Sequence, residues 1–376
     1  MHFRKHAPAN AVLYKFLTRR RKSRLQPYKT LGIYKVDRLG DFVLALGAIS
    51  ACIQHVGVEH CVLFVSSVTE ALARSVFPGA DIVVLNPNGD KLWRTMLHLA
   101  SIKSRAFSDG VSTLVCFRHH RSLHEDALIK SIPSDVSIGA VDISLTPIVG
   151  ELVRGGVRFD KSVDGAIQYV GDCKELSFHR AVAASYLGTP SSRELCLPAF
   201  PDIHTSEDNF AVLSPFASDS TRDLPWAHVI EACKWAQTIG LKEVRLLAPS
   251  GDMARYSGFA RKLSENGFSF ITVIQQSSTS DLIRSIANAS IVVSADTAPA
   301  HIATALDKRL VVLIGGGHPG WFGPWFKSER QIWLTNTLPC FGCNWHCSFP
   351  KTLCISDITS DALITALNKC WYLPAA

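Results

Sequence analysis

From residue 31 onward, short apolar runs alternate with stretches in which apolar residues recur at the spacing of one helical face. Runs at 31–36, 61–65, 82–85 and 111–117 predict buried strands, and 41–54, 69–76, 91–101 and 123–131 predict helices. Such alternation defines βαβ units and a parallel sheet. Residues 171–187 read as the last helix of this half. Between 188 and 208 the pattern breaks at Pro190, Pro198 and Pro201, among several Ser, Asp and Glu residues, as an interdomain linker does. It then restarts, with strands expected at 210–213, 243–247, 268–274, 291–293 and 310–314. Helices fit 226–239, 253–266, 280–287 and 301–306, and a final helix fits 357–369, with Thr359, Ser360 and Asp361 near its start.

The expected organisation is a basic extension over 1–30, an α/β unit over 31–190, a linker over 191–208 and a second α/β unit over 209–376. A chain of 376 residues suits two ordinary domains. Two halves of similar size around a linker predict a cleft between them.

Charge changes this picture at one place. The formal net charge is +7, but residues 1–30 hold nine basic residues and no acid, so the remainder is slightly acidic. The basicity is a tail property and gives no support to nucleic-acid binding by the folded part. Within the tail, Val12, Leu13, Phe16 and Leu17 lie beside Arg19, Arg20, Arg21 and Lys22. That pattern suits a short helix resting on an anionic membrane, or else a solvated extension. No run of about 18 apolar residues crosses a bilayer, and Lys15 interrupts the apolar stretch that a secretory signal would need. Eleven cysteines without a signal point to a reducing cytoplasm, with peripheral contact at the inner face of the inner membrane as the role of the tail.

Candidate chemistry sits where strands end. Lys35-Val36-Asp37-Arg38-Leu39-Gly40-Asp41 closes the first strand, where open α/β sheets bind ligands, although an aspartate there also caps a helix. Ser214 to Ser218, then Arg222-Asp223-Leu224-Pro225-Trp226, follow the first strand of the second half. Arg222 stands where a guanidinium could take a phosphate bidentately, or simply face solvent. Ser294-Ala295-Asp296-Thr297-Ala298-Pro299-Ala300-His301 joins a strand to a helix start, a place that receives phosphate. His301 on its own would also fit a satisfied core histidine. Gly315-Gly316-Gly317 after the next strand permits close backbone approach to a ligand, or a left-handed turn. Arg118-His119-His120-Arg121 after the fourth strand offers a landing place for an anionic acceptor, or a solvated basic loop.

Taken together, Gly40-Asp41, the Arg222–Trp226 element and Asp296–His301 followed by a glycine-rich turn resemble glycosyltransferase family 9, which includes the ADP-heptose:lipopolysaccharide heptosyltransferases. The resemblance spans about residues 31–370. It implies a GT-B fold, with two Rossmann-like domains and parallel sheets facing a central cleft. The acceptor lies in the first domain and the nucleotide sugar in the second, and the chemistry is inverting and metal-independent. By this resemblance Asp41 is the general base. With the ordinary aspartate pKa of about 3.9 it would be ionised at neutral pH and ready without tuning. Arg222, with Ser218 beside it, faces the donor diphosphate. Asp296 holds sugar hydroxyls, and Thr297, Ala298, His301, Gly315 and Gly316 complete the donor site. Arg38, Arg118, His119 and Arg121 form the acceptor set. The implied donor is ADP-heptose and the acceptor a bacterial surface glycan or lipopolysaccharide. The chain departs from the family where Ala298 replaces a usual glycine and where Arg222 replaces a usual lysine. A sugar-nucleotide epimerase of GT-B-like architecture and a non-catalytic two-domain anion- or sugar-binding protein are the alternatives.

Cys340-x2-Cys343-x3-Cys347-x6-Cys354, with His346 inside, packs four thiols into the segment 340–354. Four thiolates at this spacing could hold structural zinc or iron, remain reduced, or form a redox disulfide.

Overall fold

The computed structural model describes residues 26–86, 101–102, 104–121, 123–140, 159–163, 173–190, 197–200 and 203–373. The tail up to residue 25, nearly all of the helix expected at 91–101, and linker residues 191–196 and 201–202 lie outside the described residues. The chain divides into two compact units, Met1–Val170 with Glu175–Leu197, and Gly171–Lys174 with Pro198–Ala376.

The first unit carries strands β1 (Lys29–Lys35), β2 (Cys61–Val65), β3 (Asp81–Val84), β4 (Val111–Cys116), β5 (Ser134–Gly139) and β6 (Lys161–Ser162). Helices α1 (Leu39–Val56), α2 (Glu70–Val76), α3 (Arg105–Ser108), α4 (Leu123–Ser131) and α5 (Lys174–Leu187) accompany them. All pairings are parallel, in the order β3-β2-β1-β4-β5-β6. Central strands are covered on both faces, so β2 is buried throughout and reads as an unbroken apolar run. The edge strand β3 is only half-buried. Strands β5 and β6 escape the sequence reading because Ser-Asp-Val-Ser-Ile-Gly mixes polar and apolar residues and β6 is two residues long. Among the described residues, α1 is the one helix long and apolar enough to cross a membrane, yet Phe42, Leu44, Leu46 and Ile49 on it are fully buried in the protein.

The second unit repeats the plan. Its strands are β7 (Asp208–Ser214), β8 (Glu243–Pro249), β9 (Ile271–Gln276), β10 (Ala289–Ala295), β11 (Leu310–Leu313) and β12 (Gln331–Leu334). Its helices are α6 (Trp226–Thr238), α7 (Met253–Glu265), α8 (Thr279–Ala287), α9 (Ala298–Ala305), α10 (Leu353–Ser356) and α11 (Ser360–Tyr372). The order is β12-β11-β10-β7-β8-β9, again all parallel. Counted from β7 as the first strand, this is the 3-2-1-4-5-6 order of the first sheet. The expected strand at 268–274 begins later, because Gly267 turns the chain at φ 93° and Phe268 inserts into the core instead. The helix expected at 301–306 begins earlier, at Ala298, since a proline is tolerated in a first helical turn. Thr359 caps α11 by accepting the Ala362 N–H at 3.2 Å.

Two sheets of this order have their reversal points between β1 and β4 and between β7 and β10. Open α/β sheets bind ligands outside the carboxyl ends of such strands.

Candidate active site

In the first unit the loop from β1 to α1 brings a charged network to that reversal point. Lys35 is fully buried, with its Nζ 3.0 Å from Asp37 Oδ2, 3.2 Å from Glu175 Oε1 and 3.1 Å from His179 Nε2. The His179 Nδ1 lies 3.2 Å from the Leu44 carbonyl, so Nδ1–H donates there and Nε2 accepts from Lys35. Burial first, then the Lys35 ammonium, keep that imidazole neutral by lowering its pKa. Burial alone would raise Glu175, but the Lys35 ammonium outweighs it and holds the carboxylate well below its usual range. Asp37 is opposed by burial too, and Lys35 and Arg118 overcome that and keep it ionised. Arg118 reaches Asp37 Oδ1 at 2.8 Å.

Asp41 lies half-buried in the first turn of α1, four residues after Asp37. Burial, then the charge of Asp37, push its pKa well above the ordinary value. This corrects the expectation of an untuned aspartate. A hydrogen bond joins the two carboxyl groups, lowering Asp37 and raising Asp41. Removing the Asp37 charge lets Asp41 ionise at lower pH. In Asp37→Asn the acid limb of the pH–rate profile is therefore expected to move to lower pH, which a profile of kcat/KM in both proteins checks.

The acceptor set is unevenly placed. Arg38 is exposed beside Asp37, whose Oδ1 accepts its backbone N–H at 2.9 Å. Arg118 is partly exposed and also pairs with Glu125 at 2.8 Å. Arg121 is buried against Asp126 at 2.8 Å and donates to the Arg118 carbonyl at 2.7 Å. The His119 ring packs 5.0 Å from that of Phe178 and is buried. The loop is thus no solvated basic segment, because α4 supplies the acids that neutralise it.

In the second unit, the loops after β7 and β10 meet. The Arg222 guanidinium donates to Ser218 Oγ at 2.7 Å and to the Asp296 carbonyl at 3.3 Å. It also lies 5.8 Å from the Trp345 ring centre. Asp223 fixes this loop by accepting the Ala217 N–H at 2.7 Å and pairing with Arg255 at 2.6 Å. Thr297 is the N-cap of α9, but its hydroxyl turns back to the Ala295 carbonyl at 3.3 Å. The Ala300 and His301 N–H groups bond the Thr297 carbonyl, and Pro299 has none to offer. Ala298, half-buried, opens the helix. His301 is buried, with Nε2 3.7 Å from Asp296 Oδ1. Ser218, Arg222, Asp296, Thr297, Ala298 and His301 therefore share one corner.

Gly315 and Gly316 are engaged differently. A Cβ on Gly316 would sit 2.2 Å from the Phe341 ring, and Cβ atoms on Gly315 and Gly317 would meet Trp345 at 2.7 and 2.3 Å. Close approach by these rings, rather than left-handed backbone, requires glycine here. The segment 338–354 is pinned over the tract by Gly342 N–H to the Gly316 carbonyl (2.8 Å) and Asn344 N–H to the Gly317 carbonyl (3.0 Å). All four cysteines line one apolar pocket with Phe341, Trp345 and Phe349. Their surroundings diverge, however. The buried Cys354 sulfur accepts the Gly316 N–H at 3.3 Å, whereas exposed Cys347 faces the Lys351 carbonyl at 3.7 Å. Among the described residues no three His, Cys, Asp or Glu side chains converge as metal ligands. The four thiols expected to hold zinc or iron, Cys340, Cys343, Cys347 and Cys354, line the same pocket without converging as a ligand set.

Glu175, His179, Trp325 and Trp345 were not anticipated. Glu175 and His179 stand four residues apart on α5, the spacing of one helix face, and that was their one sequence signal.

Two all-parallel six-stranded sheets of this order are the architecture of the GT-B fold. Residues 178–350 match the family model of glycosyltransferase family 9 (heptosyltransferase). Lipopolysaccharide heptosyltransferase 1 of Salmonella typhimurium is 34% identical over 125 residues, 32% of this chain and 38% of that protein. The chain thus aligns with well under half the length of this curated relative. Among solved structures, E. coli heptosyltransferase WaaC with ADP-2-deoxy-2-fluoro heptose superposes with a TM-score of 0.63 at 16% identity, covering 90% of this chain and 99% of that one. A glycosyltransferase family 9 protein from Veillonella parvula gives 0.67 at 12% identity over 93% and 99%.

Proposed function

We propose that the chain is an inverting glycosyltransferase that moves heptose from ADP-heptose to a lipopolysaccharide-type acceptor. The observation that carries this is the joining of Arg222, Ser218, Asp296 and His301 at the reversal point of the second sheet, inside the segment matching family 9. The relative of like fold that binds an ADP-sugar analogue supports the donor class. The acceptor hydroxyl oxygen attacks C1 of the sugar, the bond from C1 to the diphosphate oxygen breaks, and ADP departs. Asp41 takes the hydroxyl proton, and Arg222 meets the charge growing on the diphosphate. The basic extension outside the described residues would hold the enzyme against an anionic membrane, where a lipid-linked acceptor resides.

The test is a thermal-shift panel of ADP-, GDP- and UDP-sugars, followed by an acceptor-dependence assay. At a hundredfold excess over Kd, ADP-heptose is expected to add about 2.7 kcal/mol to stability, and the other nucleotides less. Turnover without acceptor would favour an epimerase, and binding without turnover a ligand-binding protein.

A further inference from the structure

The donor corner holds a feature that the motifs do not encode. His301 lies beside two indoles, Trp325 and Trp333. Trp325 is almost wholly buried, and its Nε1–H donates to His301 Nδ1 at 3.1 Å. The two rings are inclined by only 14°, and the indole N–H is bonded to Nδ1. An indole N–H is only a donor. A proton on Nδ1 would set two N–H groups against each other in a buried site, which disfavours both the other tautomer and the imidazolium. Burial, followed by the Arg222 charge, lowers the His301 pKa in the same direction, against the pull of Asp296.

Nε2 consequently carries the proton and points to the Asp296 side. At 3.7 Å from Asp296 Oδ1 the distance is too long for a direct hydrogen bond, and that oxygen has no other hydrogen-bond partner among the described residues. A buried donor and a buried acceptor side by side match a group that both accepts and donates, which is a hydroxyl. We infer that Trp325 is a positioning residue that locks His301 as the Nε2–H tautomer, so that His301 and Asp296 together recognise a hydroxyl of the donor sugar. The hydroxyl part of this inference rests on the donor reading given above.

Nitrogen-15 histidine spectra of the whole protein test the first part without any variant. The expected signal is a neutral His301 with its proton on Nε2 across about pH 6–8. A proton on Nδ1, or a charged ring at neutral pH, overturns the inference. In Trp325→Phe, which keeps a ring but loses the N–H, the two tautomers should mix. The Kd for ADP-heptose should rise about tenfold, as for one lost hydrogen bond in a buried site, while the Kd for ADP stays unchanged. An unchanged tautomer, or equal losses for ADP and ADP-heptose, overturns the role of Trp325. If ADP itself fails to bind the wild-type protein, the donor reading and the hydroxyl role fall together, and the spectra still decide whether Trp325 holds His301.

Discussion

Asp41→Asn is expected to lower kcat by about 10²–10⁴-fold, the usual weight of a positioned general base. The amide keeps the size of the carboxylate and can still bond the Asp37 carboxylate, so the loss isolates proton acceptance from packing. Steady-state transfer assays measure the rate, and calorimetry with ADP should give an unchanged affinity. A variant that turns over like wild type removes Asp41 from the role of base. The environment adds a second expectation. Because burial and the neighbouring Asp37 charge raise the Asp41 pKa, the wild-type rate should climb with pH above the range where an ordinary aspartate has finished titrating. The direction follows from the role, since a base works only after losing its proton. Lys35 opposes this shift, so the pair is poised between two influences rather than set by one.

Arg222→Ala is the second large expectation, with kcat falling about 10²–10³-fold, as when one donor to a developing anion is lost. The guanidinium is already oriented by the Ser218 hydroxyl and the Asp296 carbonyl, so little reorganisation remains when the diphosphate arrives. Arg222→Lys keeps the charge and loses the planar fork, and should fall between wild type and alanine. Adenosine, which lacks phosphates, should bind all three proteins alike. If alanine and lysine variants both retain full kcat and ADP affinity, Arg222 is a structural loop residue.

Much of this architecture was legible because parallel strands covered on both faces must be apolar along their whole length. β2, β10 and β11 are buried throughout and stood out at once. β12 lies at an edge and is only partly buried, and Gln-Ile-Trp-Leu gave too short a signal. The site was legible where a motif follows a strand, as at Asp41, Arg222 and Asp296. It was not legible where partners come from distant sequence. Glu175 meets Lys35 across 140 positions, and Trp325 meets His301 across 24. The ion pairs of the basic loop were not legible because its counter-ions, Glu125 and Asp126, sit on the next helix, where they resemble ordinary surface acids.

The packing of Phe341 and Trp345 on the glycine tract has a consequence for heredity as much as for structure. Positions 315–317 have no side chains of their own and borrow two rings from a segment more than twenty residues downstream. That same segment sets Trp345 beside Arg222 and ties down the neighbouring Thr221 carbonyl through the Thr352 hydroxyl at 2.7 Å. Substitutions in the cysteine-rich segment can therefore shift Arg222 and its loop while every recognisable motif stays intact.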